Sequence, residues 1–188
     1  WRTDVGSNSR VRYGTNLAQL TSFADNSAIT TEHEVNVTDL LPNTKYFYSV
    51  GTQTDIAAGS NANHFFVTAP APGMAKSTRI WVLGDSGTGT TDQINVRNAY
   101  ENFTGSRHTD LWLMLGDNAY NNGTDGEYQS TVFNIYTNEL RKSVLWPTIG
   151  NHDGHSANSL TQTGPYYDIF TLPTNAEAGG TASGTEAY

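Results

Sequence analysis

The chain has 188 residues, of which 36% are hydrophobic and 15% charged, a composition typical of a globular protein with one large domain or two small ones. The formal charge of −8 argues against a protein that holds nucleic acid through phosphate contacts, which requires a basic surface. Cysteine is absent, so disulfides and cysteine-ligated zinc are excluded, and no apolar run approaches the ~20 residues of a membrane helix.

Residues 1–68 predict short β-strands separated by turns. The candidate strands are Trp1–Asp4, Arg10–Tyr13, Thr31–Val37, Lys45–Gly51 and Asn63–Thr68. Short strands at regular intervals, without helical periodicity, are typical of a β-sandwich. We therefore predict an N-terminal β-sandwich over residues 1–68. A linker follows over residues 69–77, where proline and glycine prevent a strand from continuing or a helix from starting.

The pattern changes after the linker. Three apolar segments predict buried strands: "TRIWVLGDSG", "DLWLMLGDNAY" and "SVLWPTIGNHD". Two helical stretches separate them, with apolar residues at helical spacing: Val96, Ala99, Tyr100 and Phe103 in the first, and Tyr128, Val132, Tyr136 and Leu140 in the second. The order strand–helix–strand–helix–strand predicts a parallel sheet covered on both faces.

Polar residues follow a glycine at the end of each apolar strand: Asp85, Asp117 and Asn151. Neighbouring parallel strands end at the same edge of a sheet, about 5 Å apart, so these side chains are expected to converge. Two close carboxylates repel each other unless they share a proton or a cation. The nearby Tyr120 and His152 add oxygen and nitrogen donors, which suit iron, manganese, zinc or magnesium, and a tyrosine ligand favours a ferric ion.

The segment Gly-Asp-Ser-Gly at residues 84–87 also matches the surroundings of the nucleophile in trypsin-like proteases. Ser86 is therefore an alternative to Asp85 as the functional residue. Such a serine needs a histidine and an aspartate in reach on a cystine-bearing double β-barrel, which this chain does not predict. The segment also lacks the G-x-S-x-G of α/β-hydrolases and the lysine of a phosphate-binding loop. We therefore predict that Asp85 is functional and that Ser86 is a loop residue.

The segments "GDSG", "GDNAY" and "GNHD", in this order, resemble the first three motifs of the calcineurin-like metallophosphoesterases. The tyrosine of the second motif makes the chain similar to purple acid phosphatases in particular. The segment "EVNVTDLLPNTKYFYSVG" resembles the fibronectin-III-like domain that precedes the catalytic domain in plant and bacterial members. The resemblance implies an α+β fold of two domains. A fibronectin-III-like sandwich over residues 1–68 would precede the first part of a catalytic α/β domain, with parallel βαβαβ topology, over residues 78–188.

The resemblance also implies roles for the residues of the three motifs. Asp85 would bind the first metal ion and Asp117 would bridge two ions. Tyr120 would bind a ferric ion, and Asn151 would bind the second ion and touch the substrate phosphate. His152 would be catalytic, stabilising the transition state and helping to protonate the leaving group.

The implied cofactors are Fe(III) and a divalent iron, zinc or manganese ion. The implied reaction is hydrolysis of a phosphomonoester of a small molecule by a hydroxide that the two metals activate. His155 and Asn118 are further candidates for substrate contacts.

The family has two further motifs, VxxH and GHxH, which supply three histidine ligands, whereas this sequence has only five histidines. His33 and His64 belong to the predicted sandwich, and His108 precedes the second strand of the parallel sheet, at the opposite edge. We therefore expect the missing ligands after Tyr188, in a longer protein of which this sequence is a part. Residues 1–188 alone are expected to be a poor enzyme.

Two alternatives to the phosphatase remain open. One is a phosphodiesterase or nucleotidase that uses the same site. The other is a non-catalytic extracellular binding module, in which the α/β part is inert. Few lysines and many asparagines, threonines and glycines suit a secreted, periplasmic or cell-surface protein, and neither nucleic-acid binding nor a membrane span is expected.

Overall fold

The computed structural model describes residues 1–176, 181–182 and 184–185. The remaining positions of the predicted catalytic part, 177–180, 183 and 186–188, lie outside the described residues. The chain divides into two compact units: Trp1–Thr78 with Arg141–Ser143, and Arg79–Leu140 with Val144–Tyr188. Within the described part of the chain, no helix has the length and apolar character needed to span a membrane.

The N-terminal unit is built on one antiparallel sheet of five strands. The strands are β1 (Arg2–Gly14), β2 (Ser22–Glu32), β3 (Lys45–Gly51), β4 (Ile56–Gly59) and β5 (Phe65–Val67). Their order is β2-β1-β3-β4, and β5 also pairs with β3. Val11 and Tyr46 are buried, and the ring of Tyr46 stacks on that of Phe66 with centroids 5.5 Å apart. Cross-strand aromatic pairs of this kind stabilise a sheet.

The structure does not confirm the predicted β-sandwich, because all five strands in the described residues of this unit belong to a single sheet. The predicted strands Trp1–Asp4, apart from Trp1, and Arg10–Tyr13 lie on the continuous strand β1, which pairs with β2 through register shifts near Ser7. The predicted strand Thr31–Val37 is wrong beyond its first two residues, since β2 ends at Glu32.

A buried histidine, His33, follows the end of β2. Its Nδ1 lies 2.8 Å from Ser9 Oγ and its Nε2 lies 2.7 Å from Thr3 Oγ1. The imidazole also stacks on the indole of Trp1, with ring centroids 4.7 Å apart. Burial lowers the pKa of His33, so the folded unit favours the neutral ring.

We expect acid to destabilise the N-terminal unit through His33. The folded-state pKa of His33 lies below the unfolded value of about 6.5. The contribution of the neutral ring to stability is therefore complete above about pH 6.5 and is lost as the pH falls towards the folded-state pKa. Pulsed hydrogen exchange on β1 and β2 during urea unfolding, at about pH 7 and about pH 5, measures the effect. His33→Gln should weaken the pH dependence, whereas His155→Gln should preserve it. If unfolding of His33→Gln depends on pH as strongly as unfolding of the wild type, His33 is not the group responsible.

The second unit alternates strands and helices. Its elements are β6 (Ile80–Leu83), α1 (Thr91–Thr104), β7 (Leu111–Leu115), α2 (Asp125–Tyr128), a π-helical turn (Gln129–Phe133), α3 (Thr137–Leu140), β8 (Val144–Thr148), a 3-10 turn (Asp153–His155) and α4 (Pro165–Ile169). The three strands are parallel in the order β6-β7-β8, and their register aligns Trp81, Trp112 and Leu145. The predicted parallel sheet is confirmed, and its three strand ends share one edge.

One face of the parallel sheet carries an aromatic core. Trp112 is fully buried, and Trp81 stacks on Tyr100 of α1 with ring centroids 3.9 Å apart. Tyr136 meets the ring of Trp112 edge-on at 4.7 Å. Other strand residues expose about half of their apolar side chains: Ile80, Val82, Leu115 and Val144. They form an apolar surface of the kind that further protein segments cover.

The helical face predicted for α1 is correct at Tyr100, which packs on Trp81, but wrong at Val96, Ala99 and Phe103, which are exposed. Val96 is 56% exposed and Phe103 is 73% exposed, while Gln93 points inward. The Gln93 side chain is satisfied there, because its Nε2 donates to Thr131 O at 2.7 Å and its Oε1 accepts from Gly89 N at 2.7 Å. On this part of α1, a buried amide whose nitrogen and oxygen are both hydrogen-bonded faces the core in place of the predicted apolar side chains.

The second helical stretch buries the residues that its spacing predicts. Tyr128, Val132 and Tyr136 are all inaccessible or nearly so. The stretch is nevertheless divided into α2, the π-helical turn and α3 rather than forming one helix. The four-residue spacing therefore identified the buried face correctly but predicted too regular a backbone.

Candidate metal centre

The loops that follow β6 and β7 are joined by backbone hydrogen bonds. Asp85 N donates to Gly116 O at 3.1 Å, and Gly87 N donates to Asp117 O at 3.3 Å. Tyr120 N donates back to Gly87 O at 2.8 Å. The two Gly-Asp segments therefore form one connected platform at the carboxyl edge of the sheet.

Both aspartates adopt a left-handed backbone conformation, with φ of 53° at Asp85 and 52° at Asp117. Residues other than glycine rarely adopt this region, although the short polar side chain of aspartate tolerates it. The same conformation at the ends of two neighbouring strands restricts where the two carboxylates point.

Tyr120 brings the two carboxylates into one cluster. Its hydroxyl donates to Asp85 Oδ1 and to Asp117 Oδ2, both at 3.0 Å. Asp117 is only 8% exposed, whereas Asp85 is open to solvent. The Tyr120 hydroxyl thus lies within hydrogen-bonding distance of one carboxylate from each of two strand ends, which agrees with the convergence expected from the motifs.

The hydrogen bonds in the cluster set its charge state. Burial acts to raise the pKa of Asp117, but hydrogen bonds from the His152 backbone N–H and the Tyr120 hydroxyl outweigh it and hold that pKa below its usual value. Burial raises the pKa of the Tyr120 phenol, and its hydrogen bonds to Asp117 and Asp85 raise it further. Two carboxylates that share a neutral phenol leave a negative cluster that a cation would neutralise.

The loop after β8 contributes His152 to the same cluster. Its backbone N donates to Asp117 Oδ1 at 3.0 Å, and its ring Nδ1 lies 2.7 Å from Asn121 O. A carbonyl oxygen only accepts, so Nδ1 carries a proton and Nε2 is the nitrogen available for other contacts. The His152 ring lies 4.2 Å from the Tyr120 ring and 5.4 Å from the His155 ring, between centroids.

Asn151 is exposed in the turn between Gly150 and His152. Gly150 packs against Asp117 so closely that a Cβ there would overlap the Asp117 backbone nitrogen. Asn151 therefore stands next to the cluster, and its role as a metal ligand stays a prediction. The same holds for a substrate contact through the exposed His155.

The geometry does not support Asn118 as a substrate contact. Its side chain is fully buried, and its Nδ2 donates to Asp153 Oδ2 at 3.0 Å and to Thr148 O at 2.9 Å. An amide held in this way cannot reach a ligand on the surface. Asn118 instead ties the loop after β7 to the end of β8.

The geometry also does not support a serine nucleophile. Ser86 Oγ is buried, and among the residues that the structure describes no histidine is hydrogen-bonded to it. A serine nucleophile needs a histidine base within hydrogen-bonding reach. Asp85, rather than Ser86, points into the cluster.

Two carboxylates that support the cluster were missed by the sequence reasoning. Glu127 accepts from the backbone nitrogens of Asn121, Asn122 and Thr124, at 2.6 to 3.1 Å. The T-x-x-E pattern of a capping box at Thr124 is the sequence signal that could have identified it. Asp153 is fully buried and carries no such signal, because its partners come from separate elements.

The donors fit part of a metal centre. Two carboxylates and a phenol suit a hard cation, and the Tyr120 hydroxyl contacts both carboxylates. In the described part of the chain, however, no three His, Cys, Asp or Glu side chains form a group that could hold a metal ion. Each ion takes about four to six donors, so these residues do not complete two coordination shells.

Known proteins resemble this chain in sequence. Residues 1–68 match the family described as "Purple acid Phosphatase, N-terminal domain". The chain therefore resembles purple acid phosphatases, as the motifs predict. Two Arabidopsis thaliana relatives are named "Probable inactive purple acid phosphatase 24", 28% identical over 72% of this chain, and "Probable inactive purple acid phosphatase 27", 29% identical over 64% of it.

The fold has a counterpart of known structure. Purple acid phosphatase PPD1 from yellow lupin (Lupinus luteus) seeds superposes with a TM-score of 0.60 over 96% of this chain, at 16% identity. This match supports the mixed α/β fold, with one antiparallel and one parallel sheet. The chain spans 23% and 21% of the lengths of the two Arabidopsis relatives and 34% of the lupin chain.

Proposed function

We propose that the full-length protein is a metal-dependent phosphoester hydrolase of the acid phosphatase type, which acts on phosphomonoesters of small molecules outside the cytoplasm. The observation that carries the proposal is the double hydrogen bond from Tyr120 to Asp85 and Asp117. It brings together the donors that two motifs of the resemblance assign to the metals. The proposed cofactors are Fe(III) and a divalent iron, zinc or manganese ion.

Each residue of the cluster has a proposed task. Asp85 and Asp117 would hold the cations, and Tyr120 would contribute its phenol oxygen to the ferric ion. Asn151, from the loop after β8, would add a ligand for the second ion and contact the substrate phosphate. When bound, the two ions supply an activated water and neutralise charge on the phosphoryl oxygens.

His152 is the proposed catalytic residue. Its Nδ1 proton is engaged by Asn121 O, so the ring orientation is fixed and Nε2 is the atom that exchanges a proton with substrate. A protonated Nε2 stabilises negative charge on the phosphoryl group and then transfers its proton to the leaving oxygen. His155, whose ring lies 5.4 Å away, is proposed to contact the substrate.

A second candidate is a metal-binding protein without turnover. The names of the two Arabidopsis relatives, which include the word "inactive", favour it. Hydrolysis of p-nitrophenyl phosphate by the full-length protein, loaded with iron and zinc, separates the candidates. Metal-dependent turnover supports the phosphatase, whereas bound metal without turnover supports the second candidate.

We predict that the iron-loaded full-length protein has a visible absorption band that Tyr120→Phe abolishes. The band would arise from charge transfer between a phenolate and a ferric ion, and a phenylalanine side chain has no oxygen to supply. Tyr167→Phe, which removes the hydroxyl of a half-buried tyrosine on α4, should leave the band intact. A band that survives Tyr120→Phe would show that Tyr120 only packs against the cluster.

A further inference from the structure

Asp153 is a fully buried carboxylate next to the candidate centre. Its oxygens accept from the backbone N of Asn118 at 3.1 and 3.2 Å, from Asn118 Nδ2 at 3.0 Å and from Gly150 N at 2.8 Å. They also accept from the Tyr128 hydroxyl at 2.5 Å. A buried carboxylate is tolerated only with such a set of donors, because its charge is otherwise costly to remove from water.

The donors come from two different loops. Asn118 directly follows Asp117 in the loop after β7, and Gly150 precedes Asn151 and His152 in the loop after β8. One side chain therefore bridges the two loops that carry the proposed bridging ligand and the proposed catalytic residue. Tyr128 lies on α2, so its bond joins Asp153 to the core and to neither loop.

Further contacts bring the same two loops together. Asn118 Nδ2 donates to Thr148 O, and the His152 backbone N donates to Asp117 Oδ1. These two hydrogen bonds depend on the positions of Asn118 and of the turn at Gly150. Asp153 fixes both positions through its own hydrogen bonds. Gly123 also packs closely against Asp153, because a Cβ at position 123 would lie 2.5 Å from the Asp153 Cα.

We propose that Asp153 is the positioning residue of the centre: its carboxylate clamps the loop after β7 to the loop after β8 and fixes Asp117 relative to Asn151 and His152. The part of this inference that concerns metal affinity rests on the proposed function. The clamp itself rests on the hydrogen bonds alone. Side chains that orient metal ligands in this way commonly change metal affinity by about 10-fold to 100-fold when they are replaced.

The test uses the full-length protein with Asp153→Asn and the control Tyr128→Phe. In Asp153→Asn one carboxylate oxygen becomes an amide N–H₂, which would face at least one of the groups that donate to Asp153 in the wild type. The substitution also removes the negative charge. Tyr128→Phe removes one hydrogen bond to the same carboxylate but leaves both loop contacts. We expect both variants to melt earlier than the wild type. Only Asp153→Asn should lose zinc affinity, by about tenfold or more, with faster amide exchange in residues 116–123 and 149–156.

The outcomes separate a positioning role from general stabilisation. Unchanged zinc affinity in Asp153→Asn, with a lower melting temperature, would overturn the positioning role. If the wild-type protein binds no metal, the proposed function fails, and amide exchange still tests the clamp. Faster exchange in both loops then supports the clamp, and unchanged exchange in either loop overturns it. If Asp153→Asn does not fold, Asn118→Ala replaces it, because this variant removes the side-chain amide that donates to Asp153. Its zinc affinity and amide exchange then decide in the same way.

Discussion

Asp117→Asn is expected to lower the phosphatase turnover of the full-length protein by at least about a thousandfold. Asp117 is nearly buried, accepts from both Tyr120 and His152, and is the proposed bridge between two cations. An amide at this position carries no charge to hold the cations together. The loss of several kcal/mol of electrostatic stabilisation corresponds to about this factor.

The measurement is hydrolysis of p-nitrophenyl phosphate after both proteins have had the same exposure to iron and zinc. Asp168→Asn is the control, because it makes the same charge change at an exposed position of α4. It should keep wild-type turnover. Turnover of Asp117→Asn within about threefold of wild type would contradict the two-metal site, since a lost ligand changes transition-state stabilisation far more than that.

The second large effect is expected for Gly150→Ala. A Cβ at this position would overlap both the backbone nitrogen and the carboxylate of Asp117, and neither can move without breaking the contact between the loops. We expect the free energy of unfolding to fall by about 3 kcal/mol, together with the loss of bound metal. Thermal unfolding and metal analysis measure the two effects.

A matched control lies four residues further along the same loop. A Cβ on Gly154 would meet no atom within 4 Å, so Gly154→Ala should fold and bind metal like the wild type. A Gly150→Ala protein with wild-type stability and metal content would show that the loops after β7 and β8 are not packed as described.

Much of the α/β unit could be predicted from sequence because its signals are local. Apolar runs that end in Gly-Asp or Gly-Asn-His predict parallel strands and place their polar ends at one edge, and β6, β7 and β8 follow that prediction. The contact of Tyr120 with both Asp85 and Asp117 agrees with the convergence expected from the motifs.

The errors arise where tertiary contacts override local pattern. Strand β1 continues where two short strands were predicted, because a shift of register absorbs the irregular residues near Ser7. Helix α1 turns Gln93 inward because backbone groups of Gly89 and Thr131 satisfy its amide. Neither compensation is visible in a single sequence.

The buried polar residues were the hardest to foresee. Asp153 stands in the segment "GNHD", yet its partners Asn118, Gly150 and Tyr128 lie on separate elements. Asn118 is also one of the candidate substrate contacts predicted from the sequence. Its burial reverses that interpretation, since the side chain holds the loops together instead of facing solvent.

Metal analysis of the purified full-length protein tests the candidate centre most directly. We predict about two metal ions per chain, including iron, in the wild type, and a loss of both in Asp117→Asn with the fold retained. A correctly folded wild-type protein that retains no metal after exposure to iron and zinc would contradict the proposed centre. The converged oxygens of Asp85, Asp117 and Tyr120 would then be a structural hydrogen-bond cluster.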